Sequence, residues 1–160
     1  MSNFKFRIQN SRFKIGLPKF GIWNLEFGMS LFVVFVLVSG CSTHDPKFQQ
    51  YYAQGQVLYE KHCSNCHQKT GQGLGRVYPP LASSDYLDAN FEKLLCLMKY
   101  GVQGEIVVNG KSFNKPMPAI PSLTELEIAE ITTYIGNSWG SQQGLIDVTK
   151  ASKILGSCTH

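Results

Sequence analysis

The 160-residue sequence lacks an apolar run of the roughly 20 residues that a membrane-spanning helix needs. It also lacks net charge once its first forty residues are set aside. Those residues hold five bases (Lys5, Arg7, Arg12, Lys14, Lys19) and one acid (Glu26), which leaves ten of each from Cys41 onward. The formal charge of +4 therefore belongs to the start of the chain, and a nucleic-acid-binding domain, which needs a basic face, loses its main support. Internal repeats and low-complexity tracts are missing. The apolar fraction of 43% is that of an ordinary globular protein, so disorder is not the default. No paired carboxylates, nucleophile–base set or phosphate-binding glycine loop argues for hydrolysis or group transfer. The length suits one ordinary domain rather than two.

Residues 1–40 read as a targeting segment. Bases come first, followed by an uncharged stretch from Phe27 to Gly40 centred on Leu31–Val38. Met29 is an alternative start, but no base would then precede the apolar run, so Met1 is preferred. The run ends Val38-Ser39-Gly40-Cys41, which resembles the lipobox of bacterial lipoproteins. Small residues there give a peptidase access to the backbone beside the cysteine. The resemblance implies a signal peptide over 1–40, lipidation at Cys41, and a short lipidated tether over 41–48 leading into a domain at 49–160. Several acyl chains would exceed the single chain that holds a protein only marginally. The alternatives are ordinary signal cleavage with a free Cys41, or a buried structural cysteine. The anchor would face the periplasm from either the inner or the outer membrane.

From residue 49 the pattern is helical. Tyr51, Gly55, Leu58 and Tyr59 share one face, and the helix runs into Cys63. A turn-rich loop follows with Gly71, Gly73, Gly75, Pro79 and Pro80. Phe91, Leu94, Leu95 and Met98 form a second helical stripe, with Asn90 as its cap and Gly101 as its stop. Residues 106–113 read as a small hairpin turning at Asn109-Gly110. A last clear helix starts near Ser122, whose spacing to Glu125 fits a capping box, and carries the stripe Ile128, Ile131, Ile135, Trp139. A polar bridge at 140–144 leads to a shorter tail segment within 141–160. The expected fold is all-α with a minor hairpin.

Cys63-Ser64-Asn65-Cys66-His67 has the pattern of a c-type haem attachment site. Two thiols three residues apart each reach one vinyl group of the same haem, and the next residue presents an imidazole to the iron. A zinc site would need a second pair of ligands at similar spacing, and none exists. A thioredoxin-like pair belongs near a βαβ pattern, which is also missing.

Residues 49–140 resemble a class I cytochrome c. The resemblance rests on Gly55-x-x-Leu58-Tyr59 before the motif, Gly71-Gln72-Gly73 after it, Tyr78-Pro79-Pro80-Leu81-Ala82, Met117-Pro118, and Ile128…Tyr134-Ile135…Trp139. It implies a cytochrome c-like helical fold around one covalent haem c, held by Cys63 and Cys66, with the hairpin before the axial methionine loop. It implies iron ligation by His67 and by Met117, which sits between Pro116 and Pro118 in a loop those prolines stiffen. Met98 is the rival ligand, but its place on the apolar stripe suggests packing. His62 lies too close to the motif, and His44 and His160 lie near the ends. The resemblance further implies that a proline carbonyl, from Pro79 or Pro80, accepts a hydrogen bond from His67, and that Leu81 and Tyr78 lie against the haem. Cys96 and Cys158 are the pair left over in an exported chain, and are expected to form a disulfide, two buried thiols being the alternative.

With both axial positions filled, the expected role is one-electron carriage between redox proteins of a respiratory chain, with no small-molecule substrate and no catalysis of its own. Two other roles stay open. One is a dedicated electron-transfer subunit of a terminal oxidase or periplasmic reductase. The other is a haem ligand-binding or peroxidase-like protein, which would need an open sixth position.

Overall fold

The computed structural model describes residues 45–158. The leader, Cys41, His44 and His160 lie outside the described residues. Within the described residues, six helices and one hairpin follow in the order α1 (Pro46–His62), α2 (Ser64–His67), α3 (Asp85–Ala89), α4 (Lys93–Tyr100), β1 (Ile106–Val108), β2 (Lys111–Phe113), α5 (Glu125–Gly136) and α6 (Val148–Leu155). The all-α reading with a minor hairpin holds.

Helix α1 begins three residues before the expected boundary. Asp45 accepts from the Lys47 N–H at 2.9 Å and Pro46 follows at the first helical position, so part of the polar segment belongs to the helix. Its buried residues Tyr51, Gly55 and Tyr59 face α5, and these two helices share the largest interface of the fold. Helices α4 and α6 pack against α5 and against each other. One core runs through all four, with Tyr59, Leu95, Ile128, Ile131 and Ile146 buried to within 1%.

Three boundaries differ from the expectation. Asn90 closes the short helix α3, which Ser84 caps by accepting from Leu87, rather than starting α4. The cap of α5 is Thr124, not Ser122. Its hydroxyl accepts from the Glu127 N–H, and the Glu127 carboxylate accepts from the Thr124 N–H at 2.9 Å. Helix α5 stops at Gly136, so Trp139 reaches the core from outside the helix, with φ of 54°. At Gly136 a Cβ would lie 2.3 Å from the Phe91 ring, so that ring fills the space the helix end leaves.

The hairpin pairs Ile106 with Phe113 and Val108 with Lys111, and turns through Asn109 and Gly110, both at positive φ. It rests on α3 through a reciprocal clasp: the Asp85 N–H donates to Asn109 Oδ1 at 3.1 Å, and the Asn109 N–H donates to Asp85 Oδ1 at 2.7 Å.

The hydrogen bonds from the Thr124 N–H and then from its hydroxyl hold the Glu127 carboxyl below its ordinary 4.5. A lowered folded-state value means that stability from this cap is complete above the ordinary value and is lost as pH falls through the lower one. The melting temperature of wild type is therefore expected to fall more steeply than that of Glu127→Gln as pH drops from about 6 to about 3. Parallel curves would show that the cap does not titrate with folding.

Candidate haem centre

Cys63 is the joint between α1 and α2. Its N–H donates to the Tyr59 carbonyl at 2.9 Å, ending α1, and its own carbonyl accepts from Cys66 and His67 at 3.1 and 2.9 Å, starting the next turn. Residues 63, 66 and 67 stand at i, i+3 and i+4 on this single turn, so their side chains share one face. The turn cannot unwind forward, because the Tyr59 hydroxyl donates to the Gln68 carbonyl at 2.6 Å and the Gly73 N–H donates to the His67 carbonyl at 3.0 Å.

The His67 ring is buried, with Nδ1 2.9 Å from the Pro79 carbonyl oxygen. A carbonyl only accepts, so Nδ1 carries the proton and Nε2 keeps its lone pair. Of the two candidate prolines, Pro79 makes this contact. Burial lowers the His67 pKa, with the bond to Pro79 opposing it, so the neutral, ligating form of the ring is favoured. Pro79 itself is fixed by a close approach to Gly73, where a Cβ would lie 2.3 Å from the Tyr78 oxygen and 2.7 Å from the Pro79 carbonyl.

Cys63, Cys66, His67, Pro79, Pro80, Leu81, Tyr78 and Met117 all line one cleft, which encloses about 900 Å³ free of protein atoms, its open mouth included. Donors from α2 and from the Met117 loop thus open onto a common space. The rest of the wall is mainly apolar: Leu94, Leu97 and Met98 from α4, Ile106, Val108 and Phe113 from the hairpin, and Ile135 from α5. The hairpin walls were missed from the sequence, although the alternation of Ile106 and Val108 was a usable signal. Met98 is both a cleft wall and a core residue, 1% exposed on the packed face of α4. Cys96 and Cys158 stand apart from the cleft and are joined by a disulfide with Cα atoms 5.8 Å apart.

The cleft suits a flat, apolar, covalently held cofactor better than the rival uses of its cysteines. Burial, and then the neighbouring Cys66, push the Cys63 thiol up to about 12, the reverse of a thiol activated for disulfide exchange. Among the described residues no three His, Cys, Asp or Glu side chains gather as a metal-binding cluster. Two thiols for thioethers and a nitrogen and a sulfur donor for iron fit a haem.

Comparison with known proteins agrees. Residues 50–135 match the family described as cytochrome c oxidase, cbb3-type, subunit III. Cytochrome c-552 of Thermus thermophilus is 36% identical over 92 residues, which cover 55% of this chain and 70% of that protein. A cytochrome c-552 from a second strain of the same species is also 36% identical over 92 residues, with 62% of its length covered. The cytochrome c subunit of a quinone alcohol dehydrogenase from Gluconacetobacter polyoxogenes is 29% identical over 127 residues, but the match spans only 26% of that subunit. The site and fold are those of a class I c-type cytochrome with a single, covalently attached haem c, an electron-transfer protein. Within that class the chain belongs to the cytochrome c family of the cbb3-type oxidase subunit III.

Proposed function

We propose that this protein is a lipid-anchored one-electron carrier of a respiratory chain, exported and held on a membrane surface facing the periplasm, that catalyses no bond chemistry of its own. Haem c would be bound through Cys63 and Cys66, with His67 and Met117 as axial ligands. The observation that carries this reading is the convergence of those four side chains on one apolar cleft. Bound there, the haem supplies reversible one-electron redox chemistry. The chain's own residues do the rest: His67 is oriented by Pro79, the α4 and hairpin walls exclude water, and a thioether in the sixth position favours the reduced state.

A protein ligand on each face leaves no open position for a substrate. No helix among the described residues is long and apolar enough to cross a membrane. Attachment would instead come from lipid at Cys41, after removal of residues 1–40, as the apolar run and the small residues before that cysteine suggest. Redox partners are expected at the cleft mouth in small, transient contacts. With about equal numbers of acids and bases after Cys41, long-range steering is expected to be modest.

The test is the absorption spectrum of the oxidised mature protein beside Met117→Ala. Wild type is expected to show the weak far-red band of an iron–thioether bond, and the variant to lack it while keeping its haem. Identical spectra would remove Met117 as ligand and favour an open, ligand-binding iron. A second reading, a dedicated subunit of a larger redox enzyme, draws on the family's subunit description and on the dehydrogenase subunit. Stoichiometric co-purification in mild detergent would favour it over a mobile carrier.

A further inference from the structure

Met117 is held by its backbone as well as by its prolines. The Val102 N–H donates to the Met117 carbonyl at 2.9 Å, and the Met117 N–H donates to the Val102 carbonyl at 3.0 Å. Pro116 and Pro118 have no N–H, so Met117 carries the single backbone donor of this triplet, and that donor is used in the pair. The strap continues downstream. The Ile120 N–H donates to the Met98 carbonyl at 3.0 Å, and Lys99 Nζ donates to the carbonyls of Pro121 and Leu123 at 3.3 and 3.1 Å. Every partner lies at or just beyond the end of α4.

Gly101 makes this pairing possible. It leaves α4 with φ 81° and ψ −176°, a conformation open essentially to glycine alone. A Cβ there would lie 2.6 Å from the Met117 carbonyl oxygen and 2.8 Å from the Ala119 nitrogen. Backbone conformation and space thus independently demand glycine, and both demands concern the same segment. Other glycines at positive φ, Gly75 among them, have open space where a Cβ would go.

We propose that the end of α4, through Gly101 and Lys99, positions the axial methionine and so sets how firmly the sixth iron position is closed. This rests on the reading of Met117 as the ligand. Alanine at 101 would force the Val102–Met117 pair apart, and the side chain would enter the cleft from a displaced backbone. A weakened iron–sulfur bond leaves the position open for a larger fraction of the time, and a small competing ligand then binds more tightly by that fraction.

The experiment uses the oxidised holoprotein and reads the far-red band, the haem content and the affinity for imidazole. Gly101→Ala is expected to weaken the band and tighten imidazole binding by about tenfold at unchanged haem content, the strain of a misplaced residue being released in the ligand bond. Gly75→Ala, with φ of 56° and no neighbour, is expected to change neither reading. A wild-type band and affinity in Gly101→Ala overturn the proposal. If Met117→Ala keeps the band, the proposal falls together with the reading beneath it. If Met117→Ala loses the band while Gly101→Ala keeps it, the proposal alone falls. Should Gly101→Ala yield no holoprotein, Lys99→Met decides: about threefold tighter imidazole binding supports the strap, since bonds from a charged donor are lost, and unchanged affinity overturns it.

Discussion

Gly55→Ala is expected to lower the stability of the holoprotein by about 3 kcal/mol, at the top of the usual range for overpacking. A Cβ at this position would lie 2.0 Å from the Glu130 carbonyl oxygen and 2.8 Å from the Tyr134 Cβ. The first is backbone in the middle of α5, so no side-chain rotation relieves it and the helices must separate. Separation would loosen a connected aromatic cluster, in which Tyr134 lies 5.2 Å from Tyr52, 5.3 Å from Tyr59 and 5.8 Å from Trp139, ring centre to ring centre. Alanine gains roughly 1 kcal/mol of helix propensity over glycine, which is too little to offset this. Tyr59 also holds the turn that carries Cys66 and His67, so the haem environment should shift with it. Chemical denaturation is the measurement: a lowered midpoint at unchanged slope is expected, and an unchanged midpoint would show that the two helices part without loss.

Cys158→Ser is expected to lower stability by about 2–4 kcal/mol. The disulfide closes a 62-residue loop between α4 and the end of the tail, and opening it frees the unfolded chain more than the folded one. The tail keeps other attachments. Thr133 Oγ1 donates to the Ile146 carbonyl and accepts from its N–H, and the Asn137 amide binds Gly144 from both sides. Ala151 and Leu155 of α6 stay in the core. The folded state should therefore survive, with a lower denaturation midpoint. A mild reductant applied to wild type should reproduce the effect, because carbon–sulfur thioethers do not respond to it. Equal midpoints with and without reductant would show that the bond contributes nothing.

The chemistry was more legible in the sequence than the helix boundaries. Cys63, Cys66 and His67 announce their use because their spacing is itself the requirement of the cofactor. Gly55 was readable as a helix-crossing glycine, and Asn109-Gly110 as a turn, because each depends on local backbone. Boundaries set by packing were not. Ser122/Glu125 and Thr124/Glu127 have the same capping-box spacing, and the second wins because Leu123 and Ile128 then flank the cap and both enter the core. Trp139 continues the 128–131–135 stripe by number only. The helix has ended at Gly136, and the indole instead covers Gly71, where a Cβ would lie 2.8 Å from its ring. The strap on Met117 left no sequence signal at all, since it joins carbonyls and N–H groups that every residue carries.

The bridge between Cys96 and Cys158 has a further consequence for how the chain survives damage. The stretch that links α5 to α6 exposes Gln142, Gln143 and Gly144, the kind of site a protease finds first. A single cut there falls between the two bonded cysteines, so it yields a nicked molecule rather than two fragments. The severed tail stays tied to α4, the helix that walls the cleft, and every residue proposed to hold the haem lies on the other piece. Such a molecule could be clipped once and still carry electrons.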